Sequence, residues 1–434
     1  DDPIPVPLVS CGDEKAFQPD VYYFDNPEYN YVFHTITSFN VNGGTDMQSK
    51  TYLLGSTNTL YVSQDHIYIA YQTYDANYPS PTRMPTIFGI GQYSSVEDAF
   101  NQLTESQKGE IIDNMNGTSV MPTVYTTMTV IHRISIDNGD AKYEAKGEVG
   151  GTLLNQFSMD EQDGYLRVAT TTNAYSGPSY TYNNVYVLDD KMKLAGSVEK
   201  IAPDEKIYSA RFMGDRLYMV TFKQIDPFFV IDLSNPQKPK VLGKLKMPGY
   251  SSYLHPVDEN HIIGLGKETE QNQWGGVSVQ GLKIALFDVS DVSDPQLVDK
   301  FEIGEAGTDS EALRDHRAFL FDNTKGLLVI PVSEMAYVPV IESGKSYTSY
   351  RYINGAYVFS VNPVKGIDLK GVVEHSTSGS SDTVRRSLYI GDVLYTISSQ
   401  KIIMSDLNDL EEPIGVVELS GYPYSKVGLL APEP

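Results

Sequence analysis

The sequence predicts an all-β protein, a β-propeller built from four-stranded antiparallel blades. Three observations predict this fold class. The 434 residues include 24 Pro, 35 Gly and 31 Tyr, a composition that favours short strands and turns over helices. A hairpin pattern recurs six times, and a second strand pair follows each hairpin. Such units leave apolar faces open, and arranging them radially, each sheet against the next, buries a shared core.

The recurring hairpin has an alternating strand, a turn of small or acidic residues, and a second strand rich in Leu, Tyr, Val and Ile. Residues 207–222, IYSARFMGDRLYMVTF, show it clearly. The other copies lie at 57–71, 153–170, 251–266, 316–331 and 383–398. In the copy at 153–170, the acidic stretch from Asp160 to Gly164 falls at the turn position, which Gly214-Asp215 fills at 207–222. We therefore interpret this stretch as a hairpin turn and not as a catalytic loop.

The second strand pair runs through a Pro-containing turn to a strand that ends in Gly, as at 228–249, 283–304 and 401–421. Six full blades result, and the segments 31–41 and 50–56 predict a partial N-terminal blade, giving seven blades in all. Either the inner strands of that blade are absent from this chain, or the segments at the two chain ends complete it. We predict a single propeller domain over 1–434; a stack of sandwiches is the alternative.

Two segments interrupt the repeat. Residues 94–113 place Phe100, Leu103 and Ile111 at roughly helical spacing, which predicts a short helix in a loop insertion at 76–124. Residues 332–357 are rich in Tyr, and we predict a second loop insertion there.

Charge and cysteine content exclude several classes of function. The formal net charge of −23 makes a nucleic-acid partner unlikely to be bound, because its phosphates would be repelled. Cys11 is the single cysteine, so a disulfide within the chain and a thiolate-rich metal site are excluded. No apolar run is long enough to predict a transmembrane segment.

Several stretches resemble a known family, the secreted β-propeller domain proteins of archaea and bacteria, which are distantly related to WD40 repeats. The stretches are GGTLLNQFSMDEQDGYLRVATTT, YSARFMGDRLYMVTFKQIDPFFVIDLSNPQKPKVLG, PGYSSYLHPVDENHIIGLGKE and GTDSEALRDHRAFLFD. The resemblance covers about Asp20 to Gly421. It implies a propeller located outside the cytoplasm, extracellular or at the cell surface, and it implies no established enzymatic activity.

Aligning the six hairpins on their turns places six polar residues at one equivalent level. They are Asn58, Asn155, Ser209, Ser252, Arg317 and Arg386. Two positions further on, the alignment places mostly apolar residues, such as Phe157, Leu254 and Phe319. Because the first strand of each blade lines the central channel of a propeller, we predict that the six polar residues line the channel mouth, as solvated lining or as a ligand site.

The segment TDSEALRDHRAFLF, at 308–321, is the candidate metal site. Its candidate ligands are Asp309, Glu311, Asp315 and His316, with His255 from the preceding hairpin. Carboxylates could hold a divalent cation such as calcium, and an imidazole could add a transition metal. The alternative is that Asp315 pairs with Arg314, Arg317 or a backbone amide and that His316 packs at a blade interface.

No sequence motif identifies a catalytic nucleophile together with a general base, so we assign no catalytic residue and leave enzymatic activity open. The leading hypothesis is a secreted or cell-surface propeller that serves as a binding or scaffold module. It would hold a protein, a glycan or a small ligand at the channel mouth and loop rim. The alternative is a metal-binding extracellular protein or metal-dependent enzyme whose site assembles at the central channel.

Overall fold

A computed structural model describes most of the chain. The described residues are 8–10, 18–24, 31–40, 47–57, 59–74, 125–175, 179–223, 226–272, 276–342, 345–376 and 382–419. Asn58 and the insertion at 76–124, with its predicted helix, lie outside them. The chain divides into two compact units: unit 1 comprises Asp1–Lys206 and Asn235–Pro239, and unit 2 comprises Ile207–Ser234 and Lys240–Pro434.

Unit 1 contains three groups of strands. Sheet 1 has three strands, β1 (Asp20–Tyr23), β2 (Tyr31–Ser38) and β3 (Gln48–Gly55), in the order β1-β3-β2. Sheet 2 contains β4 (Thr59–Val62), β5 (His66–Tyr74), β6 (Tyr125–Asp137) and β7 (Asp140–Gly150). Sheet 3 contains β8 (Met159–Gln162), β9 (Tyr165–Tyr175), β10 (Ser179–Leu188) and β11 (Leu194–Ile201). Two residues of β6 also pair with β9, so sheets 2 and 3 are joined by backbone hydrogen bonds.

Unit 2 contains four sheets of four consecutive strands. Sheet 4 has β12 (Lys206–Met213), β13 (Arg216–Phe222), β14 (Asp226–Asp232) and β15 (Lys240–Met247), and sheet 5 has β16 (Tyr250–Pro256), β17 (His261–Gln271), β18 (Val277–Asp288) and β19 (Gln296–Ile303). Sheet 6 has β20 (Leu320–Asp322), β21 (Leu327–Glu342), β22 (Lys345–Asn362) and β23 (Gly366–Ser376). Sheet 7 has β24 (Val384–Ile390), β25 (Val393–Ser398), β26 (Lys401–Asp406) and β27 (Asp409–Glu418).

The predicted all-β fold class is confirmed. Over the described residues, six groups of four strands follow one group of three, which matches seven blades of a β-propeller with a partial first blade. Within each four-stranded group the strands pair in chain order. Local turn chemistry and two-residue alternation produce this meander, and both are visible in the sequence.

The acidic stretch at 159–164 forms the predicted hairpin turn. Strand β8 pairs with β9 from Met159↔Val168 to Gln162↔Tyr165, which leaves Asp163 and Gly164 as the turn. Both residues have positive φ, 52° at Asp163 and 81° at Gly164. A two-residue turn of this type needs left-handed backbone at both positions, and Asp followed by Gly satisfies it.

Replacing Gly164 by alanine is expected to lower the free energy of unfolding by about 1 kcal/mol, since a Cβ is strained at this φ. No atom lies within 4 Å of the position where that Cβ would be, so crowding adds nothing to the loss. Gly164→Asn should cost less, because Asn tolerates left-handed backbone. Urea unfolding of the two variants measures the difference, and equal losses would contradict a purely conformational origin.

Glu161 of the same hairpin enters a buried ionic cluster in unit 1. Its Oε1 lies 2.8 Å from His66 Nδ1, and Arg133 Nη2 donates to His66 Nε2 at 2.8 Å. Arg133 Nε lies 3.0 Å from Glu144 Oε2. Because Nε2 accepts this hydrogen bond, Nδ1 carries the proton that is donated to Glu161. The cluster therefore ties β8 of sheet 3 to three strands of sheet 2, which is a structural role.

Apolar residues alternate between two cores in the middle strands. In β5, Tyr68 and Ala70 belong to the core shared with sheet 3, whereas Ile69 and Tyr71 belong to the core shared with sheet 1. This is the result of the two-residue side-chain period in a strand that is covered on both faces.

In unit 2, sheets 4 and 5 share a core in which two phenylalanine rings stack. The Phe228 and Phe287 ring centroids lie 4.6 Å apart at an interplanar angle of 15°, and both side chains are fully buried. Sheets 6 and 7 share a second core, built from β-branched and leucine side chains of the middle strands, such as Val329, Val358 and Leu394. Sheets 4 and 5, and likewise sheets 6 and 7, are therefore held together by apolar side chains packed between their faces.

The Tyr-rich segment at 332–357 is not a loop, so that prediction was wrong. It lies in β21 and β22, which pair without a register shift from Leu327↔Ser360 to Glu342↔Lys345. The segment is rich in Tyr, Val and Ile, which favour strands, and the two strands continue past the ends of β20 and β23 as a two-stranded arm. Tyr337 and Tyr350 are direct partners on this arm, and both are exposed.

Candidate functional site

The structure brings together two of the six predicted channel residues, Arg317 and Arg386, because both bind the carboxylate of Asp315. Asp315 accepts hydrogen bonds from the guanidinium groups of both Arg317 and Arg386. Arg317 belongs to a short 3₁₀ turn, His316–Ala318, just before β20, and Arg386 belongs to β24. Arg386 therefore binds a carboxylate that lies 71 positions earlier in the chain.

The other described channel candidates have local structural roles. Asn155 caps the 3₁₀ turn Gln156–Ser158, and its side-chain oxygen accepts from the Phe157 backbone amide at 2.9 Å. Ser209 is buried, and its hydroxyl donates to the Ser251 carbonyl at 2.8 Å, which joins β12 to β16. Ser252 is the unpaired residue of a β-bulge between the pairs Ser251↔Gly266 and Tyr253↔Leu265.

The predicted metal ligands are not arranged as a ligand set. Asp309 lies 2.8 Å from Arg314 Nη2, and Glu311 lies 4.0 Å from the same nitrogen. Asp315 is held by arginines, as the alternative interpretation of the sequence expected. Over the part of the chain that the structure describes, no group of three or more His, Cys, Asp or Glu side chains could hold a metal ion. Arginines placed among carboxylates satisfy those carboxylates and oppose a cation.

Asp315 is fixed by backbone and side-chain donors together. It caps the 3₁₀ turn by accepting from the Arg317 backbone amide at 3.0 Å. The Arg317 guanidinium then donates through Nε and Nη2, each 2.9 Å from a different carboxylate oxygen, and Arg386 Nη2 adds another hydrogen bond. The Arg317 hydrogen bond and the nearby Arg386 charge hold the pKa of Asp315 well below its usual range. Asp315 is therefore ionised at neutral pH.

Aromatic rings from β16 and from the 3₁₀ turn before β20 lie beside these charges. The Tyr253 hydroxyl lies 3.0 Å from His255 Nδ1, and the Phe319 ring lies 4.9 Å from His255 and 5.1 Å from Tyr253, between ring centroids. The His316 ring stacks on Tyr253 at 6.5 Å. We call Asp315, His316, Arg317, Arg386, Tyr253, His255 and Phe319 the arginine–aromatic cluster; all lie in unit 2.

The rings of the cluster are neutral at pH 7. Burial, with the nearby Arg211 charge, lowers the pKa of His255 to about 4. Burial likewise lowers the pKa of His316 and raises that of Tyr253. The charge of the cluster therefore comes from arginines and Asp315, and two guanidinium groups face one carboxylate. Such an arrangement offers hydrogen-bond donors beside apolar ring faces, which suits ligand binding.

Tyr253 was missed because of the bulge at Ser252. The hairpin alignment assigned Leu254 to the same face as Ser252, but the extra residue shifts the later side chains to the opposite faces. Leu254 instead packs in the core between sheets 4 and 5, while Tyr253 and His255 reach the cluster. Tyr253 and His255 are two residues apart, so they lie on the same face of a strand. This spacing is the feature of the sequence that could have identified Tyr253.

The strands and the cluster define a β-propeller protein with a candidate binding surface on the first strands of three consecutive sheets. The chain belongs to the Beta propeller domain family, whose model matches residues 4–410. The resemblance seen in the sequence is thereby confirmed. Among the described residues, no helix has the length and apolar character needed to cross a membrane.

Two archaeal relatives are uncharacterized proteins. The chain is 40% identical to one from Methanocaldococcus jannaschii over 281 residues, which cover 65% of this chain and 39% of the relative. It is 37% identical to one from Archaeoglobus fulgidus over 291 residues, which cover 67% of this chain and 39% of the relative. The chain thus spans about two fifths of the length of these relatives.

Two solved structures match part of the chain at low similarity. The Neurospora crassa Pan2 WD40 domain matches with a TM-score of 0.31 at 10% identity, covering 59% of this chain and 77% of that one. An ACO/RPE65 chimera matches with a TM-score of 0.25 at 9% identity, covering 68% of this chain and 85% of that one. Both scores are low, so these likenesses add nothing to the family assignment.

Proposed function

We propose that this propeller is a binding module and that the arginine–aromatic cluster is its ligand-binding surface. The observation that carries the proposal is the convergence of arginines and aromatic rings from sheets 5, 6 and 7 on Asp315 and Tyr253. Arginine and tyrosine are the residue types that contribute most at binding surfaces, because both combine a large contact area with directional hydrogen bonds. The ligand is a protein, a glycan or a small molecule.

Rigid support for the cluster favours binding. Asp315 is held by a backbone cap and by two arginines, and Tyr253 and Phe319 are almost fully buried. Side chains that are already fixed lose little conformational entropy when a ligand arrives. Arg317 nevertheless remains reachable, with 70% of its side chain exposed.

We also propose that the protein works outside the cytoplasm, in the extracellular space or at the cell surface. The family resemblance and the acidic composition, with a formal net charge of −23, support this location. Immunodetection on intact source cells, before and after treatment with an external protease, tests it. A signal that survives the protease on intact cells and is lost only after lysis would contradict the proposed location.

The Arg317→Ala variant is expected to weaken ligand binding at least about 10-fold, because a hydrogen bond to a charged group contributes about 1.5–3 kcal/mol. The first step is a thermal-shift screen of glycans, peptides and small metabolites with the unmodified protein. Dissociation constants of the hits are then compared among variants by calorimetry.

Arg314→Ala is the matched control. Arg314 lies three positions away, is also exposed and pairs with Asp309, which lies outside the cluster. It should leave the dissociation constants within about 2-fold, as expected for a surface charge away from the ligand. Hits whose affinity falls equally in both variants, or in neither, would reject the cluster as the binding surface.

A further inference from the structure

We propose that the ligand of the arginine–aromatic cluster carries an oxyanion on a ring or other apolar body, and that this oxyanion binds Arg317 and Arg386 beside Asp315. This inference rests on the proposed function, because it names the chemistry recognised by the same surface. A carboxylate is the form of oxyanion that the geometry favours, since a planar carboxylate already fits the Arg317 fork.

Charge balance is the first support. Arg317 and Arg386 share the single carboxylate of Asp315, so the three groups together carry a net positive charge. The charge of Arg211 also acts on His255 and His316. The chain as a whole has a formal net charge of −23, which makes this local excess of arginine unusual for the molecule. A local positive charge raises the concentration of anions at the surface.

Unused donors are the second support. Asp315 accepts from Nε and Nη2 of Arg317 and from Nη2 of Arg386, and Arg386 Nη1 donates to the Arg385 carbonyl at 2.6 Å. Within the described ranges, Arg317 Nη1 and Arg386 Nε donate to no protein atom. Each guanidinium thus keeps an N–H for a further acceptor, and a second oxyanion beside Asp315 would use both.

The aromatic rings are the third support, because they select what carries the oxyanion. The half-buried neutral rings of His255 and His316, supported from behind by the buried rings of Tyr253 and Phe319, form an apolar floor. An arginine pair beside such a floor suits a ligand with one charged and one apolar end. A simple inorganic anion would use the arginines alone.

Benzoate, phenyl phosphate and benzamide are suitable probes, since they share a ring and differ in the charged group. We expect benzoate to bind with a millimolar dissociation constant, as a fragment of this size does, and more tightly than phenyl phosphate. Benzamide, which lacks the charge, should bind at least about 10-fold more weakly than benzoate. Chemical-shift titration at low ionic strength measures all three, and added salt should weaken benzoate binding.

Two substitutions move the affinity in opposite directions. Asp315→Asn removes the competing negative charge while the Asn oxygen can still cap the 3₁₀ turn, so benzoate binding should tighten about 3- to 10-fold. Arg386→Gln removes a donor and a charge, so benzoate binding should weaken about 10-fold. Arg314→Gln, outside the cluster, should leave it unchanged. A role of Asp315 in structure alone predicts no gain of affinity in Asp315→Asn.

Failure of this inference and failure of the proposed function give different results. If benzoate and phenyl phosphate bind no better than benzamide while a hit of the ligand screen still depends on Arg317, the oxyanion inference is overturned and the binding surface stands. If no hit depends on Arg317, both are overturned. Binding of phenyl phosphate in preference to benzoate would retain the oxyanion and overturn the preference for a carboxylate.

Discussion

Replacing Phe287 by alanine is expected to lower the free energy of unfolding by about 3–5 kcal/mol, the range for truncating a buried aromatic ring. Phe287 is fully buried, and its ring stacks on Phe228. The ring also lies over Gly264, where an added Cβ would approach it to 2.9 Å, so the neighbouring strand is shaped around it. Alanine would leave a cavity between sheets 4 and 5 that these strands cannot fill without moving.

The loss can be measured by urea unfolding followed through tryptophan fluorescence. Trp274 is the single tryptophan and lies in the sequence between β17 and β18, the strands of sheet 5 that flank it. Tyr350→Ala is the control, because this aromatic side chain is 62% exposed on the arm, and we expect a change within about 0.5 kcal/mol.

A double-mutant cycle separates ring stacking from burial. Phe228→Ala alone should cost about as much as Phe287→Ala, and the two together should cost less than the sum by about 0.5–1.5 kcal/mol if the rings interact. Additive losses would mean that the two rings contribute only by burial. Losses below about 1 kcal/mol for either single variant would contradict the packing of sheet 4 on sheet 5.

The blades were predictable because their determinants are local. Asp163-Gly164 and Gly391-Asp392 supply turn conformations within a few residues, and alternation fixes which residues face a core. The arm at 332–357 was not predicted, because strand propensity alone does not say whether a hairpin stops at the edge of its sheet. Tyr337 and Tyr350 are of a residue type that favours strands, but the segment interrupts the repeat, and for that reason a loop insertion was predicted.

The binding surface was predictable only in part. Arg317 and Arg386 stood out because polar residues at one level of a repeat are visible in the sequence. Their meeting at Asp315 depends on how sheet 6 packs on sheet 7, which is a non-local contact. The ion pairs of Asp309 and Asp315 were not predictable for the same reason, since residue types alone cannot distinguish a carboxylate that binds a cation from one that pairs with an arginine.

Acidification from pH 6.5 towards 4 is expected to destabilise the protein through its buried histidines. His132 is fully buried in unit 1, between the Tyr71 and Tyr143 hydroxyls at 3.1 and 3.2 Å. Burial, with the charge of Lys146, lowers its pKa from 6.5 to about 4. Burial also lowers the pKa values of His255 and His375 to about 4.

The sign follows from proton uptake. Between pH 6.5 and 4 the unfolded chain binds a proton at His132 that the folded chain does not, so the free energy of unfolding falls as the pH falls. The contribution of His132 is fully present above pH 6.5 and is lost as the pH falls to about 4. Since one pKa unit corresponds to about 1.36 kcal/mol, the loss is about 2 kcal/mol by pH 5 and about 3 kcal/mol by pH 4.

The His132→Gln variant isolates this contribution, because glutamine does not titrate. It should be less stable than the unmodified protein at pH 7.5, yet its free energy of unfolding should fall by about 2 kcal/mol less on going to pH 5. Urea unfolding followed by circular dichroism at several pH values gives both quantities. Ordinary carboxyl groups titrate mostly below pH 5, and the contributions of His255 and His375 are common to both proteins and cancel in the comparison.

Tyr71→Phe is the control that separates titration from packing. It removes one hydrogen-bond partner of His132 and keeps the imidazole, so it should lower stability at pH 7.5 and retain the steep dependence on pH. In His132→Gln, by contrast, the free energy of unfolding should depend less steeply on pH. If both variants kept the slope of the unmodified protein, His132 would have to take up its proton at the same pH in the folded and the unfolded chain. Its place among the aromatic rings of Phe24, Tyr71 and Tyr143 would then be accessible to water, contrary to the packing of sheet 1 on sheet 2.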